Sequence, residues 1–144
     1  MKITLTKLDV AERQLLTAIN LFFQEQDAVS IHTLSEAASQ VLHDFGRSRG
    51  VKSIFRDSDK IRPDKKKEFL YYLFKFRNFF KHADKDVHEV YEFEEDINIF
   101  SLLDAVKVHR SIKGALTPET LAFLTCLPQK NHTSTNRNRN YLKS

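Results

Sequence analysis

The chain has 144 residues, 41% hydrophobic and 29% charged, with a formal net charge of +4. That is one domain's worth of sequence, apolar enough to close around its own core and unlike a disordered chain. Its single cysteine excludes an intrachain disulfide and a Cys-based zinc centre and points to a reducing compartment, while three glycines and three prolines leave few turns and favour helices.

The opening MKITLTKLDVAER has no continuous apolar stretch, so no secretory leader is expected. No run approaches the length of a membrane span. A cytoplasmic protein is expected, with no membrane association. The charge is uneven. Residues 47–85 carry 13 basic and 5 acidic side chains, and residues 86–104 carry 7 acidic and no basic ones. A basic zone attracts phosphates. Equally, the two zones can neutralise each other in the fold.

In chain order, Asp9 with Glu12 three residues on has the form of a capping box, so a first helix is expected from Asp9. Leu8, Ala11, Leu15, Leu16, Ile19, Phe22 and Phe23 follow its period. A second helix is expected from about Val29 to Phe45, burying Ile31, Leu34, Ala38, Val41, Leu42 and Phe45, with Gly46 and Gly50 to end it. His32, Glu36, Ser39 and His43 fall on its other face, which reads as the wet one; they lack the HExxH pattern of a zinc helix. His32 is placed to reach the end of the third helix as a supporting group. Residues 46–62 read as a charged loop with a short helical turn near Val51–Phe55.

Pro63 suits the first turn of a third helix, with Asp64 beside the positive end of its dipole. Lys65, Lys66 and Lys67 read as a solvated face. From Phe69 to Phe80, nine of twelve residues are apolar or aromatic. Such a helix needs cover on more than one side, and a second chain is a natural cover. Residues 87–95 are ambiguous between a short strand and an extended loop. A fourth helix carries Ile99, Leu102, Leu103, Val106 and Ile112 on one side, with Gly114 as its stop. Thr117-Pro118-Glu119 starts a short fifth helix that holds Leu121, Phe123, Leu124 and Leu127, buries Cys126, and ends at Pro128. The expected fold is an all-α bundle of four or five helices: one domain over residues 1–129, then a polar basic tail, 130–144, without order of its own.

The residues that bear on chemistry lie in FRNFFKHADKD, residues 76–86. Arg77, Asn78, Lys81 and His82 interrupt the most aromatic part of the chain. The skeleton Arg77-Asn78-x-x-x-His82 resembles the signature of the HEPN (higher eukaryotes and prokaryotes nucleotide-binding) fold. In that family an arginine, usually followed by Asn, Asp or His, precedes a histidine near the end of a long helix in an all-α bundle. The longer string NFFKHAD is also similar to one in small bacterial proteins of no assigned function. The HEPN resemblance implies an HEPN-like bundle and a homodimer whose two motifs face each other. It implies a metal-independent ribonuclease, in some members a toxin or defence protein restrained by an antitoxin-like partner, and in others an inactive module that binds nucleotide, RNA or protein.

On that reading Arg77 and His82 are catalytic, Asn78 orients the histidine or the phosphate, and Lys81 holds the substrate backbone. Histidine suits proton transfer near neutrality, and a guanidinium suits a phosphorane. One histidine per chain is too few for acid and base together, and a homodimer through the third helix supplies two. No cofactor or metal is implied. His82, Asp84, Asp86 and His88 alternate like metal ligands but match no zinc signature. With no glycine-rich phosphate loop, neither a P-loop nor a Rossmann enzyme is expected. The plain alternative is that Lys81 and His82 only complement a helix dipole, with Arg77 paired to Asp84, Asp86 or a carboxylate of the acidic segment.

Overall fold

The computed structural model describes the backbone of residues 1–137 and the side chains of residues 1–127. It is all-helical: α1 (Lys7–Phe23), α2 (Ala28–Arg47), α3 (Pro63–Phe79), α4 (Ile97–Lys113) and α5 (Pro118–Arg137). There is no strand among the described residues, and residues 87–95 are irregular chain. No helix among them is long and apolar enough to cross a membrane.

The first helix begins two residues earlier than Asp9. Its cap is Thr6, and Asp9 is the reciprocal partner: Thr6 N donates to Asp9 Oδ2 at 2.8 Å, and Asp9 N donates to Thr6 Oγ1 at 3.1 Å. Asp9 therefore closes the capping box rather than opening it. Helix α2 is capped by Asp27, whose carboxylate accepts from Ser30 N at 2.8 Å. As expected, α3 starts at Pro63 and α4 stops at Gly114, which takes the left-handed conformation at φ 75°. Helix α5 does not stop at Pro128 but continues to Arg137. A proline removes one hydrogen bond from the preceding turn, and a helix can run on through it at that cost. Residues 130–137 of the expected unordered tail are therefore helical; the rest of that tail lies outside the described residues.

The main core is a layer of α1, α2 and α4, closed by α5. Ala11, Leu15, Ala18 and Ile19 of α1 meet Ile31, Ala38 and Leu42 of α2 and Leu102, Ala105 and Val106 of α4. The alanines let the helix axes approach closely, and the leucines fill the space between. Phe123 of α5 seals one end, its ring edge-on to Phe22 at 5.6 Å. Gly46 is buried within the last turn of α2; a Cβ there would lie 3.2 Å from Val51 Cβ, so glycine is what lets the loop return against the helix. The left-handed residue that follows is Gly50, at φ 72°.

Helix α3 belongs to a second, smaller cluster. Leu73 and Phe76 are buried with Ile97, and Phe69, Tyr72, Phe74, Phe80, Tyr91 and Phe93 pack around them. Part of the cover that α3 needs comes from its own chain. The segment after it folds back, placing Phe93 4.9 Å from Phe76 and Tyr91 4.8 Å from Phe79 between ring centroids. Phe55, Phe69 and Phe100 join the loop, α3 and α4 through edge and tilted contacts of 5.2 to 6.0 Å. The outer face of α3 is open, with Tyr71 70% exposed.

Candidate functional site

The main departure from the sequence reading is on α2. His32, Glu36, Ser39 and His43, expected on its wet face, are all buried. Helix α2 lies between α1 and α4 with α3 alongside, so both of its faces are covered. Facing these residues are Asn98, Ser101 and Asp104 of α4, spaced three apart and also buried. Two polar rows thus meet inside an otherwise apolar interface.

Each group in the seam has a definite arrangement. Asn98 donates from its amide nitrogen to the Ala28 carbonyl at 2.9 Å, which turns its oxygen towards His32 Nδ1 at 3.0 Å. His32 therefore carries its proton on Nδ1. Burial holds its pKa below the usual histidine range, and its Nε2 faces α3 near Leu73 without a hydrogen bond of normal geometry. The His32 ring meets Phe80 and Phe93 edge-on at 5.6 and 5.3 Å, so it is a packing group of the α3 cluster. Glu36 Oε1 accepts from Ser101 at 2.7 Å while Oε2 has no partner, and burial pushes this carboxyl up. Asp104 accepts from Ser53 Oγ at 2.8 Å, from Ile54 N at 3.0 Å and from Ser39 Oγ at 3.3 Å, which ties the 48–62 loop to α4. Burial lowers the pKa of His43, whose Nδ1 has no partner.

At the outer end of the seam two arginines converge. Arg77 Nη1 donates to Gln40 Oε1 at 2.7 Å, and Arg56 Nη1 donates to the same oxygen at 3.0 Å. Both guanidiniums also lie over the Phe74 ring, at 4.5 Å for Arg77 and 4.8 Å for Arg56. The Gln40 amide nitrogen donates to Asp44 at 2.9 Å. Arg77 makes no ion pair with Asp84, Asp86 or the acidic segment: among the described residues no carboxylate oxygen lies within 4.0 Å of either guanidinium.

The other motif residues point elsewhere. Asn78, Lys81 and His82 are exposed, while Arg77 is half-buried. The His82 amide bonds to the Asn78 carbonyl at 3.1 Å, so His82 extends the helix end by one turn. No hydrogen bond holds its ring among the described residues. Within one chain, then, Arg77 is fixed against α2 and His82 is free at the surface. Asp84 and His88 are exposed on the loop beyond. No group of three or more His, Cys, Asp or Glu side chains among the described residues is placed to hold a metal. Lys65 pairs with Glu68 at 3.3 Å on the surface, and Lys66 donates to the Ser58 carbonyl at 3.2 Å. Cys126 is half-buried against the main core.

Sequence reasoning missed Gln40 and Arg56. The available signal was positional: Glu36 and Gln40 are four apart on α2, and Asn98, Ser101 and Asp104 recur every three on α4. Polar rows at helical spacing on two largely apolar helices are best accommodated by facing each other. In comparisons with protein-family models, curated proteins and solved structures, no match was found.

Proposed function

We propose that the chain is an HEPN-like, metal-independent endoribonuclease whose site is completed by a second copy. The observation that supports this reading is the division of labour at the end of α3: Arg77 is held firmly on Gln40, and His82 is exposed one turn later with its ring unbound. A fixed guanidinium and a free imidazole are what a composite site asks of each chain. In such a site the ribose 2′-hydroxyl attacks the adjacent phosphorus. One His82 takes the hydroxyl proton and the other His82 gives a proton to the departing 5′-oxygen, leaving a 2′,3′-cyclic phosphate. Arg77 stabilises the negative charge on the phosphorane oxygens with paired N–H donors. Asn78 and Lys81, exposed beside them, contact the ribose-phosphate backbone. An antitoxin-like partner belongs to the same reading, as the restraint such an activity needs in a cell.

A second reading is an inactive HEPN-like module that holds RNA, a nucleotide or a protein. It is favoured by the His82 ring itself, which no side chain among the described residues orients. One experiment separates the two. Labelled single-stranded RNA is incubated with the protein in EDTA, and the product ends are identified. Cleavage to 2′,3′-cyclic phosphate that His82→Ala abolishes is expected from the nuclease. The exposed, unbonded ring should leave the melting temperature of that variant unchanged, so the loss would be chemical. RNA retained without cutting supports the module as an RNA holder, and no affinity for RNA removes the nuclease and leaves the module only as a holder of nucleotide or protein.

A further inference from the structure

The arrangement of Arg56, Arg77 and Gln40 is out of electrostatic balance. Two guanidiniums donate to one neutral amide oxygen, at 3.0 and 2.7 Å, and share the face region of one phenyl ring. Like charges this close repel each other, and the repulsion is strongest where water is excluded. Arg56 is in such a place: its Nε and Nη2 are enclosed and have no acceptor. The carboxylates around Arg56 are Glu36, Asp104 and Asp44, and each is engaged elsewhere: Glu36 accepts from Ser101, Asp104 from Ser53 and Ile54 N, and Asp44 from Gln40. A guanidinium with two enclosed nitrogens lacking an acceptor, next to a second guanidinium, is costly to a fold unless an anion occupies the junction.

We infer that Arg56 and Arg77 form a two-guanidinium seat for a phosphate-type oxyanion, with an anion oxygen taking the position of Gln40 Oε1. The amide of Gln40 is a replaceable acceptor. It is neutral, it sits at the half-buried rim of the seam, and its nitrogen has a separate tether on Asp44 that a modest rotation preserves. A phosphate brings the charge that the amide lacks and enough oxygens to engage both guanidinium forks. Phe74 serves as the floor that keeps the two forks converging. The identification of the anion as a backbone phosphate of single-stranded RNA rests on the reading proposed above; the seat itself rests on geometry alone. In that context Arg56 is a substrate-binding residue supplied by the 48–62 loop, and Gln40 holds the two guanidiniums converged until the anion takes its place.

The test is calorimetric titration of the full-length protein with pyrophosphate at constant ionic strength, beside RNA binding in EDTA. Wild type should bind pyrophosphate at one site, and Arg56→Gln and Arg77→Gln should bind at least tenfold more weakly. The decisive variant is Gln40→Glu, which places a permanent carboxylate between the two arginines. It should melt higher than wild type and no longer bind pyrophosphate; repulsion from Asp44, four residues on and exposed, is a small opposing effect. Should Arg56→Gln not fold, Arg56→Lys keeps the charge but loses the fork and should still weaken binding. The seat is overturned if wild type gives no pyrophosphate binding, if Gln40→Glu binds as wild type does, or if Lys65→Gln with Lys67→Gln weakens binding as much as the arginine variants. Pyrophosphate binding as expected, with RNA neither bound nor cut, leaves the seat standing and sinks the nuclease reading. RNA cleavage that is indifferent to Arg56→Gln leaves the nuclease standing and overturns the assignment of the seat to the RNA backbone.

Discussion

His109 on α4 lies 2.7 Å, through Nε2, from Oε2 of Glu12 on α1, and its ring is fully buried. Lys113, one turn on, reaches the same carboxylate oxygen at 3.2 Å. The sequence spacing places Glu12 in a helix cap; in the structure it is a polar pin between two helices of the main core. Glu12→Ala should therefore destabilise the fold by about 1–3 kcal/mol, because it strands a buried ring nitrogen. Urea unfolding at neutral pH measures this, and an unchanged midpoint would remove the pin.

The same pin has a pH signature. The bond to His109, with help from Lys113, holds the Glu12 carboxyl below its ordinary range. For a lowered acid, the stability it contributes is complete above the unfolded pKa and is lost as pH falls through the folded one. The gap in melting temperature between wild type and Glu12→Gln should be widest near neutrality. It should narrow on the acid side, below the usual glutamate range.

Glu36 should behave in the opposite sense. Burial raises its carboxyl, so the fold favours the protonated form, which is stable at low pH and costs stability as pH rises through the folded pKa. Glu36→Gln keeps an oxygen for Ser101 and removes the titration. Its melting temperature should match wild type in acid and exceed it by a margin that grows as pH rises above the usual glutamate range and levels off once the folded carboxyl has ionised. A variant less stable than wild type at every pH would mean that the carboxylate is ionised and paired.

Leu42→Ala, at a fully buried position between α1, α2 and α4, should cost about 2–5 kcal/mol by denaturant unfolding. Tyr71→Glu, on the open face of α3, should change the stability of an isolated chain by no more than about 0.5 kcal/mol. If two copies meet through α3, the same Tyr71→Glu variant should halve the mass measured by light scattering. A wild-type mass of one chain at all concentrations would exclude the composite site.

Gly114→Ala should lower stability by about 1 kcal/mol, since alanine at φ 75° is strained where glycine is not. The space around Gly114 is open, so this cost is one of backbone alone. Thermal melts of the single variant suffice to check it.

What the sequence made legible was the local signals. Pro63, Gly114 and Thr117-Pro118 act through their own backbone, and each marks an element boundary in the structure. The buried row of α2 escaped because periodicity tells which residues share a face and not how many neighbours cover the helix. His32 and Glu36 look wet when only one apolar stripe is assumed; a second covering helix makes them interior. The Asp9 cap was misplaced for a related reason: Thr6 and Asp9 satisfy the spacing as well as Asp9 and Glu12 do, and only the contact with His109 shows where Glu12 goes. At the candidate site, Arg77, Asn78, Lys81 and His82 stand out in the sequence because they interrupt aromatic residues. Gln40 and Arg56 are 37 and 21 positions from Arg77 and become its neighbours only through the packing of α2 and the loop.

Helix α3 is seated in a cluster separate from the α1–α2–α4 core and is covered by the segment that follows it in the chain. Such an arrangement permits a partial excursion in which α3 and residues 87–95 detach together while the rest stays folded. Amide hydrogen exchange would resolve it as an early-exchanging block spanning α3, against late exchange in α1, α2 and α4. The arginine-bearing helix would then open more readily than α1, α2 and α4, and whatever binds there would tighten it.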